Sequence, residues 1–304
     1  MILAFEYVTK LYGPVIGVND VTCQVGPGIT GLLGANGAGK STLIKLASGQ
    51  LRPTQGSVRF DERPAWSTAA KRGFGYSPDL DRFYDDMTGR EFVVTMTRLY
   101  GYSGREARRR GELALQEVGM QPRADRRLGG CSHGMRQRIK LAQALVHDPE
   151  VLLLDEPLNG IDPGGRREIN DLLLTLARRG KTLLISSHIL AELEHLVDRI
   201  VMMSRGRMIA SGTLAEVRGA LEEQPLLIEV VSDQPRRLAS LLAELPDVGG
   251  IDIRDEVITV RTRQPALFFA ELSRLINEHG FDVRRLQTLD AGAGAVFDYL
   301  ERSA

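Results

Sequence analysis

Residues 34–41 have the sequence Gly-Ala-Asn-Gly-Ala-Gly-Lys-Ser, and this segment constrains the fold more than any other part of the chain. It follows a short apolar run at 29–33 and leads into a helix-forming run at 42–47. A strand, a glycine-rich loop and a helix in this order form the site that a nucleotide phosphate requires. A glycine-rich turn without a chemical role is the alternative, but the Lys-Ser ending favours nucleotide binding.

Each part of this segment, the phosphate loop, has an expected role in holding phosphate. Its three glycines allow a backbone with positive φ and a close approach to an anion. The backbone N–H groups point inward, and the helix N-terminus adds a partial positive charge. Lys40 is predicted to contact the β- and γ-phosphates, and Ser41 to ligate Mg²⁺. The predicted nucleotide-binding residues of the loop are Gly34, Asn36, Gly37, Ala38, Gly39, Lys40, Ser41 and Thr42.

Two acidic residues, Asp155 and Glu156, follow a continuous apolar run at 151–154. Such a run is typical of a central parallel strand that is buried on both faces. Ligands bind at the carboxyl ends of parallel strands in folds of this kind. We therefore expect Asp155 to hold Mg²⁺ and Glu156 to polarise an attacking water. The alternative is a turn that carries two solvated acids.

The composition excludes several classes of protein. The chain has 304 residues, enough for one large and one small domain. Its 39 Lys and Arg balance 39 Asp and Glu, which disfavours a dedicated nucleic-acid binder. Only Cys23 and Cys131 are present, so no disulfide framework is expected and a reducing compartment is favoured. Residues 1–20 do not have the pattern of a secretory signal, and no run of about 18 apolar residues predicts a membrane span.

Alternating strand-like and helix-like segments predict an α/β fold with a parallel sheet. Strands are expected at 2–8, 18–25, 29–33, 56–60, 151–154, 182–185, 199–203 and 208–211. Helices are expected at 88–100, 103–118, 132–146, 165–179 and 189–197. Residues from about 83 to 148 would therefore form a largely helical subdomain.

The pattern changes at residue 226. Strands at 226–231, 250–254, 257–262 and 283–289, with helices at 236–245 and 267–279, are expected there. This β-α-β-β-α-β order is that of the split βαβ, ferredoxin-like motif. We expect a nucleotide-binding domain at 1–220 and a small α+β domain at 221–304, with a linker at 222–225. A last helix is predicted at 296–300.

Residues 131–138, Cys-Ser-His-Gly-Met-Arg-Gln-Arg, complete a set of motifs that resembles the ATP-binding-cassette (ABC) ATPases over residues 1 to about 218. The resemblance implies a P-loop NTPase with a RecA-like parallel sheet, an antiparallel β subdomain and a helical subdomain. Ser132 and Gly134 match the serine and second glycine of the family's signature segment. In that family the partner's signature faces the γ-phosphate, so two cassettes enclose two ATP molecules. Without the family resemblance, Ser132 is predicted only to cap the N-terminus of a helix.

Three further positions match functional residues of the family, as the resemblance implies. Tyr12 lies where an aromatic ring stacks on adenine, although a packed surface tyrosine is the alternative. Asp162, in Asn-Gly-Ile-Asp-Pro at 159–163, matches the residue of the D-loop that crosses the dimer interface; a bare turn and helix start is the alternative. His188 matches the switch histidine that contacts the γ-phosphate, and the alternative is a packed histidine.

Several positions depart from the family pattern. Asp79 occupies a position that is usually glutamine or glutamate, and we expect it still to reach Mg²⁺ or the attacking water, with an added water molecule filling the gap. His133 replaces the first glycine of the signature and adds bulk and pH sensitivity near the phosphate. Cys131 and Met135 replace the common leucine and glutamine. The segment 133–138 resembles signature variants of exporter ATPases rather than importer ones.

The leading functional hypothesis is an ATPase subunit that powers a separate integral membrane permease as an exporter. The resemblance implies a dimer with a second copy or a homologous ATPase subunit, a cytoplasmic location on the inner face of the membrane, and a permease helix docking near residues 82–92. An ordinary amphipathic surface is the alternative for that segment.

A second hypothesis is a soluble cassette ATPase that acts on nucleic acid or ribosomes. The chain has a single cassette and no coiled-coil insertion, and both features disfavour this hypothesis. A third makes the C-terminal domain a ligand sensor that regulates the ATPase.

Overall fold

The computed structural model describes residues 2–217 and 226–289. The chain divides into two compact units, Met1–Leu214 and Ala215–Ala304. The predicted linker at 222–225, the predicted boundary at 220 and the predicted helix at 296–300 lie outside the described residues. Within the described part of the chain, no helix combines the length and the apolar character that crossing a bilayer requires. Cys23 and Cys131 are both free thiols.

The first unit contains two sheets. Its strands are β1 (Leu3–Tyr12), β2 (Val15–Val25), β3 (Gly28–Leu33), β4 (Gln55–Phe60), β5 (Arg63–Pro64), β6 (Phe74–Ser77), β7 (Val151–Leu154), β8 (Thr182–Ser187), β9 (Arg199–Ser204) and β10 (Arg207–Thr213). The antiparallel sheet has the order β2-β1-β4-β5, and the six-stranded sheet has the order β10-β9-β3-β8-β7-β6. Strands β9, β3, β8, β7 and β6 run parallel to their neighbours, and β10 pairs antiparallel with β9.

The helices of the first unit are α1 (Lys40–Ala47), α2 (Thr68–Lys71), α3 (Gly89–Leu99), α4 (Gly104–Glu117), α5 (His133–Leu145), α6 (Pro163–Arg178) and α7 (Leu190–Leu193). One hydrophobic cluster contains side chains of both sheets and of α1, including Phe5, Ile44 and Leu153. Because α1 follows the phosphate loop directly, this core fixes the loop against the central sheet.

Helices α3, α4 and α5 form the helical segment, and the sequence marks where each one begins. Thr88 and Glu91 form a capping box at the start of α3, with hydrogen bonds in both directions. The hydroxyl of Ser103 accepts the Glu106 N–H at the start of α4, and Ser132 caps α5 in the same way. The caps satisfy backbone N–H groups that have no partner within the helix.

The second unit has its own sheet and core. Strands β11 (Leu226–Ser232), β12 (Val248–Arg254), β13 (Val257–Thr262) and β14 (Val283–Thr288) form an antiparallel sheet in the order β12-β13-β11-β14. Helices α8 (Pro235–Leu242) and α9 (Pro265–His279) bury apolar side chains against it. This arrangement is that of the split βαβ motif and confirms the predicted ferredoxin-like topology.

Two sequence predictions were wrong in ways that affect the site. Strand β6 was missed, although it pairs with β7 in the central sheet and leads to Asp79. The helix predicted at 189–197 is only the four-residue α7. Turns follow at 194–196, and Asp198 then makes two hydrogen bonds with Ile29: its N–H donates to the Ile29 carbonyl, and its carboxylate accepts the Ile29 N–H. These bonds turn the chain into β9 beside β3.

Candidate active site

The carboxyl ends of four parallel strands meet at one edge of the central sheet. Leu33 of β3 lies opposite Ser187 of β8, and Leu154 of β7 lies between Ile185 of β8 and Ser77 of β6. The phosphate loop, Asp79, the Asp155–Glu156 pair and His188 each follow one of these strands. The topology therefore brings together segments that are far apart in the sequence, at the edge where ligands bind.

The phosphate loop needs its glycines for two different reasons. Gly37 and Gly39 have φ values of +85° and +103°, which side-chain-bearing residues rarely adopt. A Cβ atom on Gly39 would also lie 2.5 Å from the Gly17 carbonyl oxygen. Gly34 is a correction to the sequence prediction, because its φ is not positive. A Cβ there would lie 2.7 Å from the Met203 carbonyl oxygen, so Gly34 is needed for close packing.

Lys40 is the first residue of α1, and its ammonium group lies inside the loop. Its Nζ donates to the carbonyl oxygens of Gly34 at 2.6 Å and Ala35 at 3.3 Å. The same atom lies 3.3 Å from Oε1 of Glu156, and the Lys40 side chain is 6% exposed. A nearly buried ion pair thus connects the loop after β3 with the acid after β7. Because the ammonium is held by carbonyls and one carboxylate, it is placed where an anion can contact it.

Glu156 also contacts His188, so three predicted residues form one cluster. Its Oε2 lies 3.0 Å from Nδ1 of His188. The backbone of Glu156 has a φ of +49°, a left-handed conformation that is uncommon for a glutamate. Strain of this kind persists only where the surrounding structure enforces it, and it is concentrated at functional sites. The turn thereby aims the carboxylate between Lys40 and His188.

Ser186 contacts both acids and was not predicted as a site residue. Its hydroxyl donates to Oδ1 of Asp155 at 2.7 Å and accepts the N–H of Glu156 at 2.8 Å. Asp155 and Ser186 are 2% and 0% exposed. A serine at the end of a strand was not informative by itself, because its position opposite β7 depends on the order of the strands.

A cleft of about 320 Å³ lies in front of this cluster. Of the predicted residues, it is lined by Tyr12, Asn36, Gly37, Gly39, Lys40, Ser41, Thr42, Asp79 and Glu156. Val15 and Ile16 also line it and were not predicted as site residues; they are exposed apolar residues at the start of β2. The Tyr12 ring is 44% exposed and packs over Gly17, where a Cβ would lie 2.7 Å from Cε2.

The oxygen donors of the cleft fit a magnesium ion. Ser41 and Asp79 line it, whereas Asp155, the residue before Glu156, is buried and does not line it. Burial and the negative charges of Asp155 and Asp79 raise the pKa of Tyr76 to about 12, so both carboxylates act on one region. Among the residues that the structure describes, no three His, Cys, Asp or Glu side chains form a metal cluster. Mg²⁺ is commonly held by one or two carboxylates together with substrate phosphates, which matches this donor set.

Ser132, Gly134 and Asp162 do not line this cleft. Ser132 accepts the Met135 N–H at 3.3 Å at the start of α5, and Asp162 accepts the Gly165 N–H at 3.0 Å at the start of α6. Backbone N–H donors, chiefly that of Gly165, lower the pKa of Asp162. Each cap is exposed. Within one protomer these residues are therefore separate from Lys40.

We expect Ser186→Ala to lower the free energy of unfolding by about 1–3 kcal/mol, because the variant leaves a buried carboxylate and a buried N–H without a partner. Nucleotide turnover should fall as well, since both acids lose their common support. Chemical denaturation and a phosphate-release assay would measure the two effects.

Ser187→Ala is the matched control, because the Ser187 hydroxyl is also buried but bonds to Glu192 and Ile189. It should lower the free energy of unfolding by a similar amount but reduce turnover less than Ser186→Ala does. Equal turnover in the two variants would contradict the role given to Ser186.

Comparison with known proteins places the chain in a family. Residues 18–159 match the family described as ABC transporter. An uncharacterized ABC transporter ATP-binding protein of Synechocystis sp. is 38% identical over 217 residues, 71% of this chain and 61% of that protein. The Nod factor export ATP-binding protein I of Rhizobium sp. is 34% identical over 264 residues, 85% of each chain.

A solved structure described as the ATP binding subunit of an ABC transporter matches with a TM-score of 0.65 and 29% identity. The match covers 73% of this chain and 93% of that one. These findings confirm the resemblance drawn from the motifs. The chain belongs to the ABC transporter ATP-binding proteins, and it is an ATPase with the P-loop NTPase fold.

Proposed function

We propose that this protein dimerises around ATP and uses its hydrolysis to drive a separate membrane permease as an exporter. The observation that carries the proposal is the contact of Lys40 with Glu156 and of Glu156 with His188 at the edge of the phosphate loop. A phosphate-binding cation, an acid and a histidine in contact are the groups that hydrolysis of a phosphoanhydride requires.

Binding of the triphosphate would change the partners of Lys40. Its ammonium is shared between loop carbonyls and Glu156, and phosphate oxygens carry more negative charge than either. We infer that the β- and γ-phosphates take Lys40 from Glu156, which frees the carboxylate to accept a proton from the attacking water. Positioned base catalysis of this kind contributes about 10²- to 10⁴-fold in rate. His188 then holds the freed carboxylate in place through Nδ1.

The remaining cleft residues would hold the rest of the substrate. Tyr12 would stack on the adenine, and the loop N–H groups with Thr42 would hold the phosphates. Ser41, Asp155 and Asp79 would hold Mg²⁺, which neutralises charge on the phosphates when bound. Asp79 is shorter by one methylene than the family's usual residue, and we propose that a water molecule completes its reach.

The dimer would supply the residues that the cleft lacks. Ser132, Gly134 and Asp162 lie away from the cleft of their own protomer, at the exposed starts of two long helices. We propose that they face the ATP of a second copy or of a homologous ATPase subunit. Helix N-termini favour anions, so the start of α5 is suited to a γ-phosphate.

Docking to the permease would use the segment around residues 82–92, on the inner face of the membrane. The Phe83 ring packs edge-on against Phe92 at 4.9 Å, which tethers the segment to α3. Leu80 and Tyr84 on either side of Phe83 are 61% and 65% exposed. Exposed apolar side chains beside each other are typical of interaction sites. The export direction is supported by the relatives that are named for Nod factor export.

We expect Glu156→Gln to retain ATP, form a stable dimer and lose most of its turnover. The amide has the shape of the acid but cannot accept a proton, so the loss should be about 10²-fold or more. Phosphate release and light scattering with Mg²⁺ and ATP would measure the two properties.

The matched control is Glu150→Gln, at the opposite end of β7, where the side chain is exposed. This control should hydrolyse ATP as the wild type does. Normal turnover in Glu156→Gln would exclude Glu156 as the base, and a strictly monomeric Glu156→Gln with ATP would contradict the dimer.

We expect Tyr84→Glu to prevent copurification with the membrane permease while hydrolysis by the isolated subunit stays unchanged. A charge at this apolar position should oppose docking without reaching the cleft. Leu113→Glu on α4 is the control, because Leu113 is also an exposed apolar residue of the helical segment. Retention of the membrane chain by Tyr84→Glu would contradict the docking site.

A further inference from the structure

One face of helix α5 contacts two loops that carry acidic site residues. His133, Gln137 and Lys140 are spaced four and three residues apart, so they lie on the same face of the helix. His133 is the residue that replaces the first glycine of the signature. The face contacts the segment after β6, which contains Asp79 and Asp81, and the turn at Asn159 and Gly160.

Lys140 holds the segment after β6. Its Nζ donates to the Asp79 carbonyl oxygen at 2.8 Å and lies 2.9 Å from Oδ1 of Asp81. The Lys140 side chain is only 2% exposed, so this cation depends on the Asp81 carboxylate for its charge partner. A buried ammonium is costly unless it is paired, and the pairing fixes the position of the backbone beside Asp79.

His133 connects the same carboxylate to the turn after Glu156. Its Nδ1 lies 3.5 Å from Oδ2 of Asp81, and its Nε2 lies 3.0 Å from the Asn159 carbonyl oxygen. The ring packs on Gly160, where a Cβ would lie 2.6 Å from Cδ2 of His133. The Asn159 N–H in turn donates to the carbonyl oxygen of Glu156 at 3.2 Å. The imidazole is therefore two hydrogen bonds away from the backbone of the proposed base.

On the basis of the proposed ATPase site, we propose that His133 and Lys140 of α5 form a clamp with Asp81. The clamp positions Asp79 and the turn after Glu156 relative to each other. None of the three lines the nucleotide cleft of its own protomer, so we treat them as positioning residues for that cleft. The strained φ of Glu156 needs such support, since a left-handed glutamate is kept only by its surroundings.

Each ring nitrogen of His133 faces an oxygen acceptor, so the ring bridges the Asp81 carboxylate and the Asn159 carbonyl. The Gln137 amide, 3.4 Å from Nε2, can present either its oxygen or its nitrogen.

The charged groups around His133 are few. Asp81 faces it from the β6 segment, Lys140 shares that carboxylate on α5, and Arg136 on α5 is engaged by Asp85. The 159–160 turn contributes a carbonyl. The ring therefore adds a second link between α5 and the Asp81 carboxylate that Lys140 holds.

Turnover of the purified full chain tests the clamp. Asp81→Asn should lower kcat about tenfold and change the KM for ATP much less, because a small displacement of hydrolytic groups affects the rate more than binding. His133→Gln, which keeps one donor, should lower kcat about fivefold. The double variant should be no slower than Asp81→Asn alone, because both changes open the same clamp.

Glu168→Gln is the control, since Glu168 pairs with Arg138 on the same helix but outside the clamp. It should turn over ATP as the wild type does. The clamp is refuted if Asp81→Asn and Glu168→Gln have equal kcat, or if Asp81→Asn raises the KM for ATP as much as it lowers kcat.

Thermal melting gives a second readout that does not depend on hydrolysis. The changes in melting temperature caused by Asp81→Asn and His133→Gln should be non-additive in the double variant. Adding Lys140→Met to Asp81→Asn should raise its melting temperature, because the unpaired buried ammonium is removed. An inactive wild type would refute the proposed function, and the melting temperatures would still test the clamp; additive changes in melting temperature would overturn the clamp.

Discussion

A nearly buried ion pair between Lys40 and Glu156 joins the two halves of the candidate active site. The lysine begins the helix after β3, and the glutamate follows β7, with β8 between the two strands. Each charge would be costly to bury alone, and the pair compensates them together. The contact therefore requires the strand order of the sheet, the turn of the phosphate loop and the left-handed backbone of Glu156 at once. His188 and Ser186 complete the arrangement from the end of β8.

Much of this site could be predicted because its signals are local. The phosphate loop, the apolar strand before Asp155 and the helix caps at Ser132 and Asp162 are each read from a few adjacent residues. The contact of Glu156 with Lys40 could not be read in this way, since it depends on which strands become neighbours. The same is true of Ser186, whose hydroxyl has a role only because β8 lies beside β7.

The errors of the sequence reading have physical causes. Strand β6 has only four residues, among them Gly75 and Ser77, and its strand character comes from parallel pairing with β7. The helix predicted at 189–197 is confined to Leu190–Leu193, and Asp198, just before β9, bonds to Ile29 of β3. Tertiary pairing thus fixes strand β6 against its local pattern. In the second unit, the strand-like and helix-like segments alternate clearly enough to predict the β-α-β-β-α-β order. The sheet of this unit has the strand order of the split βαβ motif.

The central claim is that the triphosphate replaces Glu156 as the partner of Lys40. The most direct test is a structure of the full chain with Mg²⁺ and a non-hydrolysable ATP analogue. The account predicts that the Lys40 Nζ lies about 3 Å from a β- or γ-phosphate oxygen. It also predicts that the distance from Nζ to each carboxylate oxygen of Glu156 exceeds about 4 Å. A nucleotide bound away from residues 34–41, or bound there with the Lys40–Glu156 pair intact, would contradict it.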